Sequence, residues 1–268
     1  MYEYKELNNR ESSAWLPSVA MLFNDKLLED EIKGYQTLNV EGRETIGYEL
    51  ETSGSISGRD GAVTFSKTLP ARVLRIQYRL EACDNEEFQR SFRKLNWLLE
   101  TDGEVPIRFR DDLEITFYGE LSNMSEVPAD RNTIIGTFEI YCSDPFKYEK
   151  ESEQTGNPLT VYLPTPYAIK PDIIRLKMAQ NATKITVDNV NTGRHIILNG
   201  DYKTGDEIVI RLTETNQGRK LTKNGQNIMN NLDYVETDFH DFKIKRDDVV
   251  RVTPINTTVT IQTRGRWK

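Results

Sequence analysis

Between residues 63 and 141, apolar and polar positions mostly alternate with a period of two, and one helical stretch interrupts them. Val63 and Phe65, then Val73, Ile76, Tyr78 and Leu80, fit two strands. Leu69-Pro70-Ala71 separates them, because proline withholds a ladder donor. Residues 105–109, 114–118 and 134–141 alternate likewise, with Asp111-Asp112 as the hairpin turn between the first two. Phe88, Phe92, Leu95 and Leu99 instead share one face of an α-helix running from Asp84 to about residue 102. Asp84 is the expected N-cap, Glu87 its capping-box partner and Gly103 the C′ residue. Such an aromatic stripe belongs to a core rather than to a cofactor site.

The first fifty residues mix charge with short apolar runs. Met21-Leu22-Phe23 and residues 35–40 read as strands, joined by polar turns such as Asn24-Asp25. Residues 53–61, Ser-Gly-Ser-Ile-Ser-Gly-Arg-Asp-Gly, read as a loop or hairpin tip. They lack the Gly-x-Gly-x-x-Gly or Walker spacing that cradles phosphate. Residues 150–157 have the polarity of a linker. Beyond them, short apolar runs recur at 173–176, 185–187, 195–198, 207–212, 248–252 and 258–262. Asn191-Thr192-Gly193, Asn199-Gly200 and Asn224-Gly225 lie among them as turn signals, since Asn-Gly pairs tolerate positive φ. That spacing predicts a β-sandwich, with one helical turn at 228–232. The fold class expected is mainly β (a β-rich α+β chain), in two domains, 1–150 and 151–268.

Composition supports two folded modules. A chain of 268 residues, 37% hydrophobic and 29% charged, is long enough for two cores and is neither disordered nor fibrous. Residues 1–150 hold 18 Lys+Arg against 28 Asp+Glu, net −10; residues 151–268 hold 17 against 14, net +3. The overall −7 argues against nucleic-acid binding, and the change of sign suggests different neighbours for each half. No apolar run approaches the ~18 residues of a membrane span. The N-terminus lacks an apolar h-region, so neither membrane insertion nor signal-directed secretion is expected.

Candidate chemistry is sparse. Cys83 and Cys142 lack disulfide-framework or zinc spacing and read as buried free thiols. His195 follows a turn on a strand, and His240 lies between carboxylates in Asp-Phe-His-Asp-Phe. Asp238, His240 and Asp241 invite an acid–base reading, yet no nucleophile elbow, His-Glu-x-x-His helix or Cys/His pair accompanies them. Asp111-Asp112 offers two carboxylates where a Ca²⁺ loop needs more oxygen ligands in order. No catalytic residue, cofactor or metal site is expected.

The order of parts in the second half resembles the C-terminal region of the siphophage distal tail proteins, the Dit family. Its pieces are Asp188-Asn189-Val190-Asn191-Thr192-Gly193, then Leu198, then Gly205-Asp206-Glu207-Ile208-Val209-Ile210. Asn224-Gly225-Gln226-Asn227 with Leu232, Asp238-Phe239 and a closing Arg264-Gly265-Arg266-Trp267 follow. Ser143-Asp144-Pro145-Phe146-Lys147-Tyr148 and the single helix of the first half resemble the family too. Two surface-type departures stand out. Arg211 occupies a position that is often acidic, and Arg246-Asp247-Asp248 lies where a Pro-Gly turn is frequent.

The resemblance implies a structural hub at the tip of a long non-contractile phage tail, made in the host cytoplasm and carried in the virion baseplate. It implies a β-sandwich-like N-terminal ring domain with one helix and an arm or hairpin loop, and a galectin-like C-terminal β-sandwich. The implied partners are five further copies in a homo-hexamer (with stacked rings as a variant), the tail tube protein, the tail-associated hub protein, and receptor-binding or other baseplate proteins. Ser57, Gly58, Arg59, Asp60 and Gly61 are the candidate subunit or partner interface, with an ordinary loop as the alternative. A competing reading is a carbohydrate-binding module for the host cell wall. It would use Trp267, Arg264 and Arg266, or Tyr234 near His240. A wall-degrading hydrolase is the third reading, and no motif supports it.

Overall fold

The structure, a computed structural model, describes residues 16–54, 60–126, 131–212 and 221–268. It divides into two units, Met1–Lys147 together with Lys268, and Tyr148–Trp267. In the first, β1 (Met21–Phe23), β2 (Lys26–Leu27), the single turn α1 (Leu28–Glu31), β3 (Tyr35–Glu41), β4 (Glu49–Thr52) and β5 (Thr64–Thr68) come in order. They are followed by β6 (Arg72–Glu81), α2 (Asn85–Leu99), β7 (Val105–Phe109), β8 (Asp112–Met124) and β9 (Thr133–Cys142). All pairings are antiparallel, in the lateral order β2-β1-β7-β8-β9-β6-β3. β8 runs past the expected end at 118. Its residues up to Gly119 pair with β7, and those from Glu120 onward pair with β9.

Alternation decides what faces inward. On β6, Leu74, Ile76, Tyr78 and Leu80 are buried while Val73, Arg75 and Gln77 face out. Tyr78 stacks on Tyr35 at 5.5 Å between centroids and fills the space opposite Gly136 on β9. A Cβ at Gly136 would lie 2.6 Å from the Tyr78 ring. At the head of β6, Arg72 is fully buried. Its Nε donates to the Pro145 carbonyl (3.0 Å), and its Nη1 donates to the carbonyls of Glu44 (2.9 Å) and Gly42. Burial holds this guanidinium below its ordinary pKa.

The helix behaves as expected at its start and differs at its end. Asp84 Oδ1 accepts from the Glu87 amide at 2.8 Å. Glu87 reaches back to the Cys83 amide (2.8 Å) rather than to the cap residue itself. Phe88, Leu95, Leu98 and Leu99 are buried. The helix stops at Leu99, its last buried position, and Glu100 is extended (φ −75°, ψ 119°). Gly103 therefore lies beyond the end and does not serve as C′.

The second unit contains β10 (Lys147–Gly156), β11 (Leu159–Thr160), β12 (Ile173–Lys177), β13 (Ala182–Asn189), β14 (Arg194–Tyr202) and β15 (Glu207–Arg211). Then come β16 (Leu221–Lys223), β17 (Gln226–Asn227), a 3₁₀ turn (Met229–Asn231), β18 (Val249–Thr253) and β19 (Thr258–Trp267). One sheet runs β17-β16-β15-β12-β19-β10 and the other β11-β18-β13-β14. Ile174, Leu176, Ile208, Ile210, Val259 and Ile261 of the first face Ile185, Val187, Ile196, Leu198, Val250 and Val252 of the second across one core. This is a β-sandwich.

Two local expectations need correction. Residues 150–157 are largely strand rather than linker. β10 is polar on both faces, so its pairing is marked by Ser152–Thr263 and Thr155–Thr260 contacts and not by apolar alternation. Asn199-Gly200 is not a turn, because it lies inside β14 opposite an irregularity in β13. A Cβ at Gly200 would sit 2.3 Å from Asn231 Nδ2, so glycine serves close approach there. Asn224-Gly225 (φ 48° and 80°) and Asn24-Asp25 (φ 50° and 62°) do form two-residue hairpin turns.

Candidate functional site: a hairpin arm and a basic cleft

β4 and β5 pair only with each other among the described residues, forming a separate two-stranded sheet. Leu50 faces Lys67, and Phe65 sits at a register irregularity between the Ser66 and Thr64 pairings. Leu50 is 56% exposed and Phe65 67%, so neither side chain is covered by the described residues. Ser53 closes the ladder through its amide to the Val63 carbonyl (2.7 Å). Of the candidate interface residues, Asp60 and Gly61 are exposed at the tip, Gly61 with φ +79°. Ser57, Gly58 and Arg59 lie outside the described residues.

In the C-terminal unit, outward positions of β19 include Arg264 and Arg266, which line a cleft of about 450 Å³ with Tyr148, Lys170, Asp172 and Lys243. Arg264 grips the Asp172 carboxylate with Nε (3.2 Å) and Nη2 (3.1 Å), and its guanidinium lies 5.5 Å from the Tyr148 ring centre. Arg266 donates to the Ala168 carbonyl at 2.8 Å. Trp267, of opposite parity, is not in the lining; its indole N–H donates to Glu149 at 2.7 Å. The structure thus brings Arg264 and Arg266 together and holds Trp267 apart. Sequence reasoning missed Lys170 and Lys243. They lie 73 positions apart and meet because Ile169 and Ile244 exchange two backbone hydrogen bonds of 2.8 Å.

The other candidates have structural partners. The Asp238 carboxylate accepts from Arg194 and from the His195 amide (3.2 Å), and Arg194 holds it below the usual carboxylate range. A depressed carboxylate suits an ion pair rather than a general acid. Tyr234 is 69% exposed and donates to the Met229 carbonyl, while His240 packs edge-on against Phe239. Asp111 is taken at both oxygens by Arg43, at 2.9 Å each. Cys142 is buried, its thiol pushed up to about 12 by desolvation, but Cys83 is exposed, against expectation, because it precedes the helix cap on the surface. Among the described residues no group of three or more His, Cys, Asp or Glu could hold a metal, and no helix is long and apolar enough to cross a membrane.

The pieces that carried the resemblance prove to be turn scaffolding. Buried Asn189 donates to the Lys243 carbonyl (2.9 Å) and Asp248 (2.8 Å), and accepts from the amides of Asn191 and Thr192. Asp206 accepts from the Lys203 amide and Asn224 Nδ2, both at 2.8 Å, and from Lys223, contacts that lower its pKa to about 2. Asp247 takes φ +68°.

Comparison with known proteins adds two domain matches. Residues 167–267 match the siphovirus-type tail component, C-terminal domain, and residues 33–141 match the phage tail protein RIFT-related domain. The chain is 29% identical over 243 residues to the distal tail protein of Bacillus phage SPP1, spanning 88% of this chain and 89% of that one. It also superposes on the crystal structure of SPP1 Dit with a TM-score of 0.76, covering 91% of this chain and 98% of that one at 20% identity. SPP1 Dit is described as a paradigm of the hub adsorption apparatus in phages infecting Gram-positive bacteria.

Proposed function

The chain belongs to the Dit family of siphovirus distal tail proteins, and from that premise we propose that it closes into a six-membered ring at the tail tip. The protein is a structural component of the phage tail hub. In the proposed ring, the tail tube joins above and the tail-associated hub protein below. The C-terminal sandwich faces outward, where receptor-binding proteins anchor. The observation that carries this reading is the β4–β5 hairpin. An isolated two-stranded hairpin is marginal in water, and this one exposes both Leu50 and Phe65. A neighbouring copy supplies the missing cover, through the head-to-tail contact that closes rings.

Light scattering on a sizing column tests the ring. Six chains of 31.0 kDa predict a main peak near 186 kDa with ring-shaped particles in negative stain. Replacing Leu50 and Phe65 together with serine, or shortening the 53–61 loop, should move that peak toward the monomer without lowering the melting temperature. Rings that survive these changes would remove the arm from the interface. The cell-wall-sugar reading finds less support. The aromatic ring in the cleft is Tyr148, and the Arg264 guanidinium already lies over it.

A further inference from the structure

The cleft of the C-terminal unit has a charge imbalance that the ring does not explain. Four cationic side chains, Lys170, Lys243, Arg264 and Arg266, line it against the single carboxylate of Asp172. That carboxylate is already held at both oxygens by Arg264. Lys170 and Lys243 have no ion-pair or hydrogen-bond partner among the described residues.

Their placement is fixed by backbone rather than by chance rotamers. Ile169 and Ile244 exchange paired hydrogen bonds with both side chains in the core. The next residues, 170 and 243, therefore stand across from each other on the outer face. Buried Asn189 further pins the Lys243 carbonyl. Neither ammonium has a counter-charge among the described residues, so an anion between them would meet two unpaired donors.

We propose that this cleft binds a phosphate ester. Lys170 and Lys243 would take the phosphate oxygens from one side, and Arg264 and Arg266 would supply the positive field behind them. The two unpaired lysines match a doubly charged tetrahedral oxyanion better than a lone carboxylate, which would leave one of them uncompensated. The cleft is also far larger than a phosphate group, which leaves room for the esterified part beside Tyr148. The proposal is independent of the ring, because every contributing residue lies in one unit of one chain.

Calorimetric titration of the full chain with inorganic phosphate, glycerol phosphate and hexaglutamate tests it. Glycerol phosphate should bind saturably and more weakly as salt is added. The double variant Lys170→Gln/Lys243→Gln should lose affinity about tenfold or more, equivalent to roughly 1.4 kcal/mol. Its melting temperature should not fall, because neither lysine head group has a partner to lose. Lys177→Gln, outside the cleft, should bind like the parent. Tighter binding of glycerol phosphate than of inorganic phosphate identifies an ester site; equal binding identifies a free-phosphate site and overturns the ester assignment. Hexaglutamate binding as tightly as glycerol phosphate, no saturable binding by the parent, or full affinity in the double variant would each overturn the proposal.

Discussion

Arg72 shows how one residue can tie together segments that sequence spacing leaves apart. Its guanidinium bonds the carbonyls of residues 42, 44 and 145, three part-buried contacts made by one buried side chain. Arg72→Met should cost about 2 kcal/mol in urea denaturation, because the hydrogen bonds of one buried side chain to three carbonyls are lost. Arg72→Lys should recover only part of this, since one ammonium cannot span three acceptors. A loss under about 1 kcal/mol would mean that water replaces the guanidinium. In the sequence this arginine looks like an ordinary strand residue, because charge masks its inward parity. The cleft was half legible for a related reason. Arg264 and Arg266 share a strand face by period two, whereas Lys170 and Lys243 meet only through one isolated bridge that no local pattern announces.

Among the elements, α2 was the most legible, because its cap and its stripe are both local signals. Asp84→Ala should destabilise the protein by about 1 kcal/mol through loss of the 2.8 Å cap, read as a shifted denaturation midpoint at unchanged slope. An unaltered midpoint would show that Glu87 suffices to hold the helix start. Its end was less legible, since burial of Leu99 and not the glycine at 103 decides where it stops. β10 was hidden for the opposite reason. Its pairing is made by backbone and hydroxyl groups, so no apolar rhythm marks it as a strand. Asn199-Gly200 carried a true glycine requirement, but the requirement was close contact with Asn231 rather than reversal of the chain.

At the scale of the molecule, each unit has a hydrophobic core of its own. A fragment spanning Tyr148–Trp267 should therefore melt in one cooperative transition, followed by circular dichroism; a broad, non-cooperative melt would show that its core needs the other unit. The N-terminal unit carries a different lesson, from the strand that belongs to both of its parts. β8 is bonded to β7 along its first stretch and to β9 along its second. A pull applied across that unit thus travels along one continuous peptide backbone instead of through a packing seam. Parting β7 from β9 therefore requires breaking the hydrogen bonds of β8 to one of them.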